Sequence, residues 1–129
     1  MVAKRILIID DEADVREIAK VSLEITRQWE VTTAASGEEG VCLAATCPPD
    51  AILLDVVMPK TDGLATLIQL SENAVTRHIP VILLTATLRL ATQQTFVSAG
   101  ARAVLVKPFD PGLLGGQIEA VLGWQQKAV

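Results

Sequence analysis

Residues 50–63 read D-A-I-L-L-D-V-V-M-P-K-T-D-G, and this stretch decides the fold. Residues 51–54 form a short apolar run without alternation, which is typical of a strand buried on both faces. Asp55 follows at once, and the chain breakers Pro59 and Gly63 predict that the strand ends close to this acid. An ionised carboxylate beside a core is costly unless a neighbouring group compensates its charge. Taken alone, Asp55 is an ordinary Asp that caps a turn, so its meaning depends on what the rest of the chain brings to it.

Strand signals recur along the chain at regular intervals. They cover residues 5–9, 30–34, 51–54, 81–84 and 103–106. Three of these runs are apolar throughout, as in a parallel sheet covered on both sides, and the second is mixed, which suits an edge strand. A stretch of helical length follows each run, and this alternation predicts an α/β fold with a parallel sheet.

Two helices have clear boundaries in the sequence. Ser36 begins an S-x-x-E capping box and predicts a helix from there to about Cys47. Asp110 followed by Pro111 is a typical N-cap and N1 pair, and it opens a last helix. Glycines within this last helix each cost about 1 kcal/mol relative to Ala, so the helix depends on packing for its stability.

The other three helices are predicted from apolar residues at helical spacing. The first covers residues 14–27, the third surrounds 64–71, and a weaker fourth covers 88–99 and stops at Gly100, a C-cap position. The predicted buried stripe of the first helix consists of Val15, Ile18, Ala19, Ser22 and Ile25. The stripe of the third consists of Leu64, Leu67, Ile68 and Ser71, and that of the last of Leu114, Ile118, Val121 and Leu122.

The composition narrows the class of protein. With 129 residues the chain is long enough for one domain with a core, so we expect residues 1–129 to form a single domain. No apolar run approaches the ~20 residues of a membrane span or forms a secretory signal, which predicts a cytoplasmic protein. The net charge of -4 and the lack of a basic run disfavour contact with nucleic acid or an anionic membrane. Cys42 and Cys47 are a poor zinc set and are predicted to be small core hydrophobes.

Polar or charged residues follow four of the five predicted strands. The first strand ends at Asp10 and Asp11, the third at Asp55, the fourth at Thr85 and the fifth at Lys107. In open parallel sheets, ligands bind beyond these carboxyl ends. Two carboxylates ~5 Å apart repel by about 3 kcal/mol at a dielectric of ~20, so three together demand a cation or raise one another's pKa. Mg²⁺ meets that demand because it takes carboxylate, water and phosphate oxygens. The alternative is a purely structural cluster of ion pairs.

The same groups suit phosphoryl transfer. A metal ion and an ammonium group can hold the oxygens of a transferring phosphoryl group, whose transition state is stabilised mainly by electrostatics. Asp55, at the centre of the sheet, is a competent nucleophile that would yield an aspartyl-phosphate. Thr85 can donate a hydrogen bond to a phosphoryl oxygen once one is attached. The glycine-rich loops of nucleotide sites are absent from the sequence, so a nucleotide site is poorly supported.

Over about residues 4–123 the chain resembles the receiver domain of two-component response regulators. The motifs that carry the resemblance are Asp10-Asp11, Asp55 with Met58-Pro59 and Asp62-Gly63, Thr85-Ala86, and Gly100-Ala101 leading to Lys107-Pro108-Phe109. Each motif is weak alone, but their order and spacing together are highly specific. The resemblance implies a flavodoxin-like (βα)5 doubly wound parallel sheet with strand order 2-1-3-4-5.

The resemblance also implies a role for each site residue. It assigns Asp55, Thr85 and Lys107 to the phosphoryl group, and Asp10, Asp11, Asp55 and the backbone carbonyl of Val57 to Mg²⁺. Asp55 is the implied phosphoacceptor, with Asp11 a direct ligand and Asp10 acting largely through water. The Lys107–Pro108 bond would be cis. The donor would be the phosphohistidine of a sensor histidine kinase or a phosphotransfer protein, and slow self-hydrolysis would follow, so a regulatory domain is implied rather than an enzyme.

One position departs from the family pattern. Three residues before the lysine the family usually carries Tyr or Phe, the rotamer partner of the switch threonine. Here that place is Val104, whose single stiff torsion cannot swing like a ring. Phe96 is the nearest aromatic residue in the sequence. In the family the output face is the fourth helix, fifth strand and fifth helix, and Leu88, Leu90 and Val104 would suit a homodimer or output partner there, or equally a loosely packed helix.

The residues leave more than one function open. The first is a phosphorylation-controlled switch that alters protein contacts. The second, favoured by Val104, is a phosphorelay intermediate or phosphate sink with little conformational output. A phosphatase that uses an aspartyl-phosphate, as in haloacid-dehalogenase-like enzymes, is a distant alternative because Asp55-Val56-Val57 lacks the second acid of their D-x-D motif. A binding module of this shape without phosphate is disfavoured because all the site residues are present.

Overall fold

The computed structural model describes residues 3–55, 57–58, 61–85, 90–107 and 109–124, with the backbone alone for 57–58, 61–62 and 90–93. The strands are β1 Arg5–Ile9, β2 Glu30–Ala34, β3 Ala51–Asp55, β4 Val57–Met58, β5 Thr61–Asp62, β6 Val81–Thr85 and β7 Ala103–Val106. The helices are α1 Ala13–Arg27, α2 Gly37–Thr46, α3 Gly63–Glu72, α4 Leu90–Ser98 and α5 Pro111–Leu122. All the predicted strands and helices occur, whereas the short antiparallel pair β4–β5 was not predicted.

The long strands form one five-stranded parallel sheet in the order β2-β1-β3-β6-β7. Numbered among themselves along the chain, these five strands stand in the order 2-1-3-4-5, which confirms the predicted doubly wound topology. β1 pairs with both β2 and β3, so the strand order reverses beside β1. The mixed strand β2 lies at an edge, as predicted. Side-by-side pairing brings the carboxyl ends of β1, β3, β6 and β7 to one side of the sheet.

The caps that the sequence predicts are formed. The Ser36 hydroxyl accepts a hydrogen bond from the Glu39 N–H at 3.2 Å, and the Asp110 carboxylate accepts one from the Gly112 N–H at 2.8 Å. Gly100 follows α4 with a φ of 119°, in the left-handed region that favours glycine. A Cβ at this position would lie 2.4 Å from the Ser71 Oγ, so another residue would need both a strained backbone and a shift of Ser71.

Side chains of the sheet alternate between two cores, one on each face. On one face, strand residues such as Ile52 and Leu54 pack with helices α2 and α3. On the other face, residues such as Leu53 and Ile82 pack with helices α1 and α5. Burial of each such side chain contributes about 1.5–3 kcal/mol to folding. Both faces of the sheet are therefore covered, as the unalternating apolar strands predict.

Two predicted helix stripes were partly wrong. In α1, Ile18 and Ile25 are 50% and 74% exposed, whereas Ala19 and Leu23 are fully buried. In α3, Ile68 is 39% exposed, and the inner face contains Thr66 and Leu70 together with the predicted Leu67. Ala19 and Leu67 are buried as predicted, so in each helix the inner face overlaps the predicted stripe and turns away from the exposed isoleucines. Thr66 is a polar residue that the apolar pattern leaves out, yet it is buried on the inner face of α3.

The prediction for the cysteines was wrong. Cys42 and Cys47 are free thiols and both are exposed. Cys42 points away from the inner face of α2, which is formed by Gly37, Gly40 and Ala44. Cys47 follows the last turn of α2, where its sulfur contacts the Arg5 guanidinium. The inner face of α2 lies close to the sheet at Gly40, where a Cβ would lie 2.3 Å from the Ile9 side chain.

Some expectations fall outside the described residues. These are the cis Lys107–Pro108 bond, the start of the fourth helix at Leu88, and the side chains of Leu88 and Leu90 on a partner surface. Val104 is described. It is half-buried and packs against the same core as Phe96 and Ala99 of the α4 region.

Candidate functional site

The carboxyl ends of the central strands enclose two buried carboxylates. Asp10 follows β1 and is 0% exposed, and Asp55 ends β3 and is 1% exposed. The ammonium group of Lys107, which follows β7, lies 3.4 Å from Asp10 Oδ2 and 3.3 Å from Asp55 Oδ2. One cation therefore bridges two acids that the sheet buries side by side, as the sequence predicts for this edge.

Lys107 keeps its charge in this position. Partial burial of the side chain lowers the pKa of its ammonium group, but the carboxylates of Asp10 and Asp55 raise it more, so the pKa stands above its ordinary value. The raised pKa means that Lys107 stays protonated at neutral pH. The site thus holds a permanent positive charge next to Asp55.

Asp10 is held by protein groups at every polar atom. Its Oδ1 accepts a hydrogen bond from the Glu12 N–H at 2.9 Å, and its Oδ2 pairs with Lys107. Its N–H donates to the Ala34 carbonyl at 3.0 Å, and its own carbonyl accepts from Arg16 Nη1 at 2.8 Å. Asp10 is consequently fixed within the fold, with both carboxylate oxygens already in contact with donors.

Asp11 and Glu12 complete an acidic cluster at the same place. Both residues are exposed. One carboxylate oxygen from each of Asp10, Asp11, Glu12 and Asp55 can be chosen so that all lie within 4.8 Å of one another. These are hard oxygen donors, the kind that Mg²⁺ prefers, and they carry more negative charge than Lys107 can balance. By donor type and charge, the residues fit a divalent cation.

The remaining predicted site residues also lie at this edge. Thr85 is the last residue of β6 and is 2% exposed. Its carbonyl accepts a hydrogen bond from the Lys107 N–H at 2.7 Å, which joins the ends of β6 and β7. Val57 begins β4, two residues after Asp55. The fold therefore gathers Asp10, Asp11, Asp55, Thr85 and Lys107 at one end of the sheet, with Val57 directly after.

Sequence reasoning missed Glu12 and Arg16. Glu12 is the N-cap residue of α1 and the fourth acid of the cluster. Its position directly after Asp10-Asp11 was a usable signal, since the same turn had to present all three side chains. Arg16 reaches back from the first turns of α1 to the Asp10 carbonyl. An arginine on a helix surface carries no sequence signal for such a contact.

Comparison with known proteins identifies the family. The model of the response regulator receiver domain matches residues 6–119. The chain belongs to this family. As a receiver domain it is a regulatory domain of two-component signalling, and its five-stranded sheet has the strand order of its structural neighbours.

Individual relatives agree with this assignment. The chain is 37% identical over 125 residues to the "Probable transcriptional regulator ycf27" of Guillardia theta, covering 97% of this chain and 48% of that protein. It is 40% identical over 119 residues to the "Response regulator PleD" of Caulobacter vibrioides, covering 91% of this chain and 26% of that protein. The chain thus spans about half or less of these curated relatives.

Solved structures resemble the fold closely. The chemotaxis protein CheY4 of Vibrio cholerae superposes with a TM-score of 0.86 at 29% identity, covering 94% of this chain and 99% of that one. A putative response regulator from Chloroflexus aurantiacus gives 0.84 at 31% identity, covering 94% of this chain and 98% of that one. Within the described residues, no helix is long and apolar enough to span a membrane.

Proposed function

We propose that this receiver domain is a phosphorylation-controlled switch in which Asp55 accepts a phosphoryl group from the phosphohistidine of a sensor histidine kinase or phosphotransfer protein. One observation carries the proposal: the Asp55 carboxylate ends the central strand with Lys107 3.3 Å away and three further acids beside it. A structural ion pair would need one acid for one lysine. The excess of carboxylates favours a site that takes up cationic charge together with an anionic group.

The transfer step uses the chain's own groups as follows. An oxygen of the Asp55 carboxylate attacks phosphorus, and the nitrogen–phosphorus bond of the donor breaks with its electron pair returning to the imidazole nitrogen. The charge that Lys107 carries attracts the phosphoryl oxygens, and the hydroxyl of Thr85 donates to one of them. Water later cleaves the acyl phosphate slowly and restores the carboxylate. The domain acts as a regulated acceptor rather than as an enzyme with an external substrate.

Magnesium is the proposed cofactor. Asp11, Asp55 and the backbone carbonyl of Val57 would hold the ion, with Asp10 acting through water because both of its oxygens already contact protein donors. When bound, the ion would offset the negative charge of the phosphoryl oxygens next to the acids. The exposed carboxylate of Asp11 is free to turn toward an ion, since no hydrogen bond or ion pair reaches it from the described residues.

The surface of α1 supports a protein donor. Ile18, Val21 and Ile25 are 50%, 39% and 74% exposed and follow one another at helical spacing on one side of the helix. Leu113 of α5 is 60% exposed, and the two helices are joined where the Ser22 hydroxyl donates to the Pro111 carbonyl. Exposed apolar residues on a helix that starts beside the acids suit a docking surface for the donor.

A signal output and a relay remain two forms of this proposal. In the first, the phosphoryl group biases the α4–β7–α5 face, which would bind an output partner or a second copy of the domain. In the second, the domain returns the phosphoryl group to another protein with little conformational change. Val104 favours the relay, because its half-buried side chain packs against the core and has a single stiff torsion. The whole of residues 1–129 would act as one receiver domain in either case.

The acceptor is tested by intact mass after incubation with acetyl phosphate and Mg²⁺. We expect one phosphate adduct, which is absent from Asp55→Asn and from protein treated with EDTA. A phosphohistidine protein should give the same adduct. If neither donor labels folded protein that binds Mg²⁺, the proposal fails. A long-lived adduct supports a switch, and rapid return of the phosphoryl group to a phosphotransfer protein supports a relay.

The docking surface is tested with Ile18→Arg. We expect transfer from a phosphohistidine protein to fall while labelling by acetyl phosphate stays unchanged, because the small donor needs no helix surface. Ile68→Arg on α3, also an exposed apolar position, is the matched control. Equal loss with both donors would mean that the substitution disturbs the site itself, and no loss would remove α1 from the docking surface.

A further inference from the structure

The Arg16 side chain makes a contact that the proposed chemistry does not use. Arg16 lies one turn inside α1, where its N–H donates to the Glu12 carbonyl at 3.1 Å. Its side chain is half-buried and turns back over the start of the helix. Its Nη1 donates to the carbonyl of Asp10 at 2.8 Å. The guanidinium therefore holds the backbone at the point where β1 passes into the acidic turn.

The carbonyl of Asp10 belongs to the peptide group that leads into Asp11. A peptide group is planar, so a fixed carbonyl also fixes the direction of the next N–H and the next Cα. The other polar atoms of Asp10 are held by Ala34, Glu12 and Lys107. With the carbonyl held as well, the starting point of the Asp11 side chain is set by the fold, although that side chain is exposed.

We propose that Arg16 is a positioning residue that presets Asp11 for a divalent cation. The inference rests on the proposed metal site and adds a residue that does not touch the ion. Groups that orient a ligand in this way typically change metal affinity by about 10- to 100-fold when they are removed. Arg16 would act by fixing the Asp10–Asp11 peptide, while its charge opposes the cation.

Geometry and charge predict opposite outcomes when Arg16 is replaced. Removal of a positive charge near four carboxylates should strengthen the binding of a cation, if charge alone counts. Loss of the bond to the Asp10 carbonyl should weaken binding, because Asp11 must then be ordered when the ion arrives. The sign of the change in affinity therefore separates a positioning residue from a nearby charge.

The test is calorimetric titration of the full chain with Mg²⁺. We expect Arg16→Gln to weaken Mg²⁺ binding by about tenfold. Lys20→Gln is the matched control: it removes one positive charge from the next turn of the same helix, makes no contact with Asp10, and should leave affinity within about twofold. Unchanged or tighter binding by Arg16→Gln overturns the inference. If the wild-type chain binds no Mg²⁺, the proposed metal site fails, which is a different result.

A second variant and a second measurement distinguish a positioning role from a general loss of structure. Arg16→Met keeps the apolar stem of the side chain. If Arg16→Gln does not fold, Arg16→Met is titrated in its place, and the same weakening of Mg²⁺ binding is expected. Labelling by acetyl phosphate at saturating Mg²⁺ should return to the wild-type rate in either variant, since Arg16 orders the ligand and does not contact the phosphoryl group. A rate that stays low at saturating Mg²⁺ contradicts a positioning role.

Discussion

The two ends of the parallel sheet differ in chemistry. At the carboxyl end, buried Asp10 and Asp55 share Lys107, and further acids surround them. At the amino end, the rings of Trp29 and Trp124 meet edge to face with centroids 5.4 Å apart. Lys4, just before β1, places its ammonium 4.6 Å from the Trp124 ring centroid. A five-residue strand separates the two ends by about 17 Å.

We therefore expect the carboxyl end of the sheet to serve the proposed phosphorylation and the amino end to serve stability. Crowded carboxylates oppose folding until a cation binds, whereas the packed rings of buried Trp29 and half-buried Trp124 favour folding with or without a cation. Substitutions at the amino end should therefore change the free energy of unfolding and leave phosphorylation intact. Substitutions at the carboxyl end should impair phosphorylation or metal binding, and those that remove a crowded acid should also stabilise the metal-free fold slightly.

The largest effect on stability is expected for Trp29→Ala. Trp29 is 8% exposed and packs against the α1–α5 core, so its loss should lower the free energy of unfolding by about 3–5 kcal/mol. Urea denaturation measures this change. Labelling of the folded fraction by acetyl phosphate should remain as in the wild type. If folded Trp29→Ala is no longer labelled by acetyl phosphate, the two ends of the sheet are coupled.

The next effect concerns the ion pair that joins α1 to α5. Arg27 Nε lies 3.0 Å from Glu119 Oε1, and the Glu119 carboxylate is only 5% exposed. Gly115 leaves room for the arginine, because a Cβ there would lie 2.9 Å from the Arg27 Cγ. Arg27→Met leaves the buried acid without its partner and should cost about 2 kcal/mol, discounted for the partial exposure of Arg27.

The matched control for that pair is the double variant Arg27→Met with Glu119→Leu. It removes both charges and should recover much of the lost stability in urea denaturation. Equal destabilisation of single and double variants would mean that packing, and not the unpaired acid, caused the loss.

A smaller effect of opposite sign is expected at the carboxyl end. Asp11→Asn removes one exposed charge from the acidic cluster and should raise the free energy of unfolding by about 1 kcal/mol in the absence of metal. Saturating Mg²⁺ should reverse the order of the two proteins, because the wild type gains more from binding. Thermal denaturation in EDTA tests the gain in stability without metal, and the same measurement in saturating Mg²⁺ tests the reversed order. A variant that Mg²⁺ stabilises as much as the wild type would exclude Asp11 as a ligand.

The smallest effect is expected for Lys4→Gln. The exposed ammonium over Trp124 contributes about 0.5 kcal/mol, as is usual for cation–π contacts near solvent. Urea denaturation at low and high salt measures it, and Lys20→Gln serves as a control for the loss of a charge. If Lys4→Gln lowers the free energy of unfolding by several times ~0.5 kcal/mol more than Lys20→Gln does, Lys4 also holds the Trp124 segment in place.

The sequence predicted the sheet and the gathering of acids well, because both follow from simple rules. Buried parallel strands are apolar runs, and the residue after each run lies at a shared edge, which located Asp10, Asp55 and Lys107. The inner faces of α1 and α3 were harder to predict. The apolar pattern placed Ile18 and Ile25 beside Ala19 on the inner face of α1, but Ile18 and Ile25 are exposed and the buried Leu23 was left out.

Contacts across the chain were beyond sequence reasoning. Arg16 on the Asp10 carbonyl and Arg27 in the space over Gly115 depend on the relative placement of α1 with its neighbours. From the sequence alone, the glycines of α5 were expected to destabilise that helix. In the fold, Gly115 lets an arginine cross the helix and reach a buried acid, so a loss of helix propensity is partly offset by a tertiary contact.

The aromatic pair at the amino end gives the molecule a built-in optical probe. The chain has two tryptophans and no tyrosine, so fluorescence excited in the indole absorption band comes from Trp29 and Trp124 alone. Both rings lie at the end of the sheet remote from Asp55. Intrinsic fluorescence should follow the unfolding of this domain faithfully and stay almost silent when an ion or a phosphoryl group binds at the opposite end.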